Sequence, residues 1–198
     1  MSQKHNRLIL LLIFLIFATP VIVATLMHTS WWAYRPNETV NRGLLVEPAQ
    51  PLDYSALSFA EDTALPAGVW TVLYPVAEPC LSECRSKLES LRQVHRATGR
   101  KQGMLNILPL LQANGEGSGV SDMLEIYPLF TPAFDLQGTV TGQLQRLGDL
   151  ANDEDLTDGQ AFLIDPTGNI MMRYSAGFDP NDLKKDLKRL LKWQERDD

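Results

Sequence analysis

The chain has 198 residues, 44% of them hydrophobic and 21% charged, which is enough for one ordinary core and too little for two large domains. Its formal net charge is −6; taking Lys4 and Arg7 away from the 18 basic residues leaves 16 against 24 acidic ones beyond the first apolar stretch, a net of −8. Phosphate binding needs a basic face, so this balance argues against nucleic acid as a partner.

Leu8 to Met27 is an uncharged run of 20 residues, the length that spans ~30 Å of hydrocarbon as a helix. Lys4, His5 and Arg7 precede it, and Trp31, Trp32 and Tyr34 follow it. The positive-inside rule then puts residues 1–7 in the cytoplasm and the aromatic belt at the far face, so the rest of the chain is exported. This predicts a single-pass membrane protein with an exported C-terminal domain. The competing reading is a cleaved signal peptide with a site near Ala18 or Ala24. The apolar run continues past both alanines, which favours an anchor. Pro20 kinks such a helix without forbidding it. Pro36, Pro48, Pro51 and Pro66, with few periodic apolar positions around them, predict an extended tether over 28–67.

The globular domain is expected over 68–196. GVWTVLYPV, from Gly68, is rich in β-branched and aromatic residues and reads as a buried strand. Cys84, Leu88, Leu91 and Val94 then recur at helical spacing, with Ser82 as a candidate N-cap and Gly99 as the stop. A second buried strand is expected in GMLNILPLL, 103–111, ended or marked as an edge by Pro109. NGEGSG (114–119) is a loop by composition and lacks the spacing of a nucleotide fingerprint. Residues 121–142 carry no clear period, and 144–151 suit a short helix. AFLID, the turn Pro166-Thr167-Gly168-Asn169 and IMMRYSA predict a β-hairpin. Asp179 and Pro180 then open a helix whose apolar stripe is Leu183, Leu187, Leu190 and Leu191. Strand, helix, strand, insert, hairpin, helix adds up to an α/β sandwich with a mixed sheet.

The only cysteines are Cys80 and Cys84. A strand, then Pro79-Cys80-Leu81-Ser82-Glu83-Cys84 entering a helix, then FLIDPTGNIMMRYSAGFDP before a final helix, resembles the Sco/SenC family. Those are membrane-tethered proteins of thioredoxin-like fold that assist copper delivery or thiol reduction in cytochrome c oxidase assembly. The resemblance implies that fold here, a place in a bacterial inner membrane with the C-terminal domain in the periplasm, a respiratory oxidase subunit or assembly factor as partner, and Cys80 and Cys84 as the working pair, either redox-active or ligating copper. A helix N-terminus lowers a cysteine pKa below its free value near ~8.5. Two fully helical residues four apart have Cβ atoms ~5 to 6 Å apart, against the ~3.8 Å of a disulfide, so Cys80 must lie in the preceding loop for the pair to close. At the longer distance two thiolates can still share Cu(I).

The sequence departs from the family at the third copper ligand. The histidine expected before the hairpin is missing from ANDEDLTDGQAF (151–162), where only Thr157, Asp158 or Gln160 fall in its neighbourhood. His95, eleven residues beyond Cys84 on one helix, is ~16 Å away. Copper would need the two sulfurs alone, a methionine such as Met123, or a partner's ligand. Three readings follow: a Sco-like assembly accessory, a tethered thiol–disulfide oxidoreductase with Cys80 attacking and Cys84 resolving, and a binding module whose disulfide is structural. Fold alone does not choose among them.

Overall fold

A computed structural model describes residues 3–28, 40–59, 68–77, 79–112, 127, 130–149 and 159–197. They fall into two compact units, Met1–Val40 and Asn41–Asp198.

The first unit is helix α1 (Gln3–His28), with Pro20 inside it. Within it Arg7–Leu26 is long and apolar enough to cross a membrane, and none of that stretch is buried against protein. This is what a single-pass membrane protein requires. Its two internal hydroxyls are satisfied by the helix itself: Thr19 donates to the Leu15 carbonyl at 2.6 Å and Thr25 to that of Val21 at 2.9 Å. In hydrocarbon an unpaired hydroxyl would be costly, so this back-bonding is what lets threonine sit there.

The second unit contains β1 (Leu44–Pro51), β2 (Ser58–Phe59), β3 (Trp70–Pro75), α2 (Ser82–Ala97), β4 (Leu105–Leu111), β5 (Ala133–Phe134), α3 (Thr139–Asp149), β6 (Ala161–Ile164), β7 (Asn169–Tyr174) and α4 (Pro180–Asp197). The seven strands form one sheet in the order β1-β7-β6-β3-β4-β5-β2. β3, β4 and β5 run parallel, and the remaining pairs are antiparallel. Strand alternation sends Val72 and Tyr74 to one face, where they meet Leu88 and Leu91 of α2 and Leu183 and Leu187 of α4. Leu73 points to the other face, against Val140 and Leu144 of α3. β3 is buried along all six residues, as its unbroken apolar run requires. The result is the expected α/β architecture, a thioredoxin-like mixed sheet flanked by helices and preceded by one apolar helix.

Several expectations need correction. Residues 41–59 are no tether: β1 pairs with β7, Leu44 opposite Arg173 and Gln50 opposite Ile170, with a bulge between Leu45 and Gln50. The strand was illegible because it is a mostly exposed edge that needs no apolar alternation and tolerates Pro48 and Pro51. Of the expected tether, 29–39 and 60–67 lie outside the described residues. Pro109 neither ends β4 nor marks an edge; it sits inside the strand, opposite Tyr74. Its nitrogen faces β5, where pairing is interrupted between the Ile107–Phe130 bridge and Leu110–Ala133, so little ladder is lost. Ser82 is the first helical residue of α2 and Leu81 holds the cap position, without a side-chain cap bond. The helix expected over 144–151 runs from Thr139 to Asp149 instead. There the Asp135 carboxylate accepts the Thr141 N–H at 2.7 Å and satisfies the helix start from outside it.

The start of this unit is pinned from its end. Asp186 Oδ2, buried on α4, accepts the backbone N–H groups of Arg42 (2.8 Å) and Gly43 (3.0 Å) and the Tyr174 hydroxyl (3.0 Å). A Cβ on Gly43 would stand 2.7 Å from the Tyr174 ring, so only glycine lets the chain pass so close.

Candidate functional site

β3 delivers the chain to the site, and the Val76 N–H bonding the Leu110 carbonyl at 2.8 Å fixes its exit. Cys80 lies in the loop ahead of α2, and Cys84 is the third residue of the helix. The two are joined in a disulfide, with Cα atoms 5.3 Å apart. This meets the condition read from the spacing, that Cys80 lie in the loop before the helix, and the Cα separation is within the normal disulfide range. Arg85 Nε donates to the Cys80 carbonyl at 3.3 Å and ties the loop to the first turn.

Both cysteines pack into the α2 side of the core, Cys80 4% and Cys84 7% exposed, while Leu81 between them is 67% exposed. Beside them opens a cleft of about 500 Å³, whose walls include Tyr74, Val76, Glu83, Cys84, Lys87, Gln112 and Gly159. Lys87 follows Cys84 by three residues and so shares its face of the helix. Its ammonium donates to the Phe178 carbonyl at 3.1 Å and lies 4.3 Å from the centre of the Phe178 ring. Burial lowers its pKa, and the nearby carboxylates of Glu83 and Asp179 oppose that. Gly159 has φ +83°, and a Cβ there would come within 3.3 Å of the Ala176 carbonyl oxygen. Gln160, buried, leads into β6 at the same end of the sheet.

Of the residues singled out in the sequence, the fold brings Cys80 and Cys84 together and leaves the histidines elsewhere. His95 is buried on α2 with Nε2 3.0 Å from the Leu105 carbonyl oxygen, a core histidine. His5 and His28 belong to α1. Met123, Thr157 and Asp158 lie outside the described residues. Among the described residues no three His, Cys, Asp or Glu side chains gather where an ion could be held. Lys87 was missed although its spacing from Cys84 was readable. Phe178 could not have been found, because only the fold brings it to α2, whereas Gly159, with Gln160, stands where a thioredoxin-type reductase would carry a proline before the AFLID strand.

A second polar group on α2 lies away from the cleft. Glu89 accepts hydrogen bonds from Arg92 and the Tyr127 hydroxyl, and the Arg92 guanidinium lies 4.9 Å from the Tyr127 ring centre. Those bonds, Arg92 first, lower the Glu89 pKa to about 2. The cluster fastens Tyr127 to the helix.

A family model described as transmembrane-like, thioredoxin-like, C-terminal domain matches residues 133–194. The match runs from β5 into α4 and so takes in Gly159 and Phe178 but neither cysteine. No curated protein matches the chain. Among solved structures, StoA from Bacillus subtilis is 17% identical, with 65% of this chain and 94% of that one covered and a TM-score of 0.42. A copper-bound ScoI from Arabidopsis thaliana is 14% identical over 64% of this chain and 86% of that one, TM-score 0.48. A thiol:disulfide interchange protein from Bacteroides sp. is 14% identical over 76% and 90%, TM-score 0.48.

Proposed function

We propose that this protein is a membrane-tethered thiol–disulfide exchange protein, facing the periplasm and serving respiratory oxidase assembly in the manner of a Sco-like accessory. The observation that carries the exchange chemistry is the Cys80–Cys84 disulfide at the mouth of α2, beside an open cleft that also holds a lysine. Exchange needs a disulfide that an outside thiolate can reach and a thiolate that leaves readily. The unpaired N–H groups at the start of α2 supply the second condition, since they stabilise negative charge on sulfur. The oxidase as client and the periplasmic orientation rest on the Sco/SenC resemblance and on the charge flanking α1.

The test is equilibration of the protein in glutathione buffers, followed by alkylation and mass spectrometry. A midpoint between about −270 and −120 mV is expected, the span of known exchange proteins; a pair still oxidised below about −300 mV is structural, and the proposal is then wrong. Pull-down from detergent-solubilised membranes should recover an oxidase subunit or assembly factor.

Copper transfer is the second reading, favoured by one observation: two sulfurs held at one helix start would, once reduced, offer a soft ion two thiolates. Anaerobic Cu(I) titration of the reduced protein should then show one tight equivalent that Cys80→Ser abolishes. Binding no tighter than that of the double serine variant removes this reading.

A further inference from the structure

Beyond α1 the chain carries 16 basic against 24 acidic residues, yet from Leu183 to Gln194 it has five basic residues and a single acid. That acid, Asp186, is buried, where it accepts bonds from Arg42, Gly43 and Tyr174. Lys185, Lys188, Arg189, Lys192 and Trp193 stand at i, i+3, i+4, i+7 and i+8 of α4 and are all exposed, so they form one face of the helix. Leu183, Leu187 and Leu191 make the opposite face, in the core. Among the described residues Lys188 and Lys192 form no ion pair. Asp182, at the edge of the exposed face, is flanked by two cations, Lys185 at 2.9 Å and Arg42 at 4.0 Å. An acidic domain therefore presents one cationic strip, with an indole at its end.

We propose that this face of α4 is a second membrane contact, which docks on the anionic lipid headgroups of the bilayer that α1 crosses. It rests on α1 as the anchor and not on the exchange chemistry. A run of lysine and arginine is drawn to anionic lipid over about a Debye length. The apolar stems of these side chains let the charges reach headgroups while the helix stays outside them. Tryptophan favours the boundary between headgroups and water, and Trp193 is 62% exposed beside Lys192.

Lipid is favoured over an acidic protein by where the chain enters the domain. The chain arriving from α1 does so at Arg42 and Gly43, whose N–H groups are both bonded to Asp186 of α4. The element fastened to the entry point is thus the one that carries the cationic strip. Residues 29–41 reach at most about 50 Å when fully extended, so an anchored chain meets the surface of its own bilayer at high effective concentration. Weak contacts suffice there, whereas a separate protein must first be encountered.

The experiment uses the full chain in lipid nanodiscs, one chain to a disc, made of phosphatidylcholine alone or with about a third phosphatidylglycerol. Lysines are acetylated with limiting reagent and read residue by residue by mass spectrometry, with Lys87 of the cleft as internal reference. Lys188 and Lys192 are expected to react at least about threefold more slowly in the anionic discs, and to recover in about 0.5 M salt, which screens charges over a few ångströms. Equal rates in the two lipids, or an equal slowing of Lys87, overturn the proposal. Protection found in native membranes but not in anionic discs assigns the face to a protein partner and overturns it as well. A chain that enters neither disc overturns the anchor itself, and the docking with it. As a second measurement, Lys188→Glu/Lys192→Glu reverses the charge at two exposed positions, and Lys185 should then lose its protection by anionic lipid, while Lys188→Arg/Lys192→Arg keeps it. Protection of Lys185 that survives the charge reversal counts against the lipid contact.

Discussion

Asp186 shows how much of this domain depends on single polar contacts. One buried carboxylate oxygen accepts two backbone N–H groups at the start of the domain and the hydroxyl of Tyr174. Burial, and then the charge of Asp186, push the Tyr174 pKa well above its usual value near ~10. The folded state therefore keeps the phenol proton to higher pH than the unfolded chain does. The corresponding stability is complete below about pH 10 and is lost as pH rises past it, because only the unfolded chain then gains by ionising. The urea midpoint is expected to fall between pH 8 and pH 11, and to fall less in Tyr174→Phe. Tyr54, raised by burial and by Asp165, leaves a residual slope in that variant. An identical alkaline loss in both proteins would refute the assignment to Tyr174.

Among the elements, α2 decides whether the cysteines can cycle. The helix is held to the sheet by Leu88, Leu91 and Val94, all buried, and not by the disulfide at its tip. A bridge between residues four apart closes a very short loop, for which chain entropy gives only about 2 kcal/mol. Three buried aliphatic side chains contribute more than that, at roughly 1.5 to 3 kcal/mol each. Reduction with a strong dithiol is therefore expected to lower stability by about 2 kcal/mol or less and to leave the far-ultraviolet circular dichroism unchanged. Collapse of the helical signal on reduction would mean that the bridge, and not the packing, holds α2 in place. The hairpin β6–β7 illustrates the opposite case of an element organised by its own turn. Burial alone would raise the Asp165 pKa, but bonds from the N–H groups of Asn169 and Thr167 and from their side chains outweigh it and lower it.

At the scale of the molecule, the domain begins at Asn41 and uses β1 to cover the free edge of β7. A fragment of residues 41–198 is expected to fold as a soluble, cooperatively unfolding domain with the disulfide intact. A fragment of 68–196, the extent suggested by the sequence, loses β1, the Asp186 contacts to Arg42 and Gly43, and the cover on β7. It is expected to be less stable and to aggregate through the bared edge. Size-exclusion chromatography and urea denaturation of the two fragments compare them directly; equal stability would show that β1 adds nothing to the fold.

The apolar helix, the buried strands, the hairpin, the amphipathic helices α2 and α4 and the cysteine pair were legible in the chain, because each is specified by a local period, a turn residue or a spacing; the start of α3, capped from outside by Asp135, was not. Strand β1, the place of Pro109, the Lys87–Phe178 contact and the burial of Cys80 and Cys84 were decided only by tertiary structure. An edge strand needs no apolar alternation, and a residue's exposure depends on neighbours that are distant in sequence. Spacing put two sulfurs at the tip of one helix. Only the packing of α2 against the sheet buried both of them in one core and opened the cleft beside them.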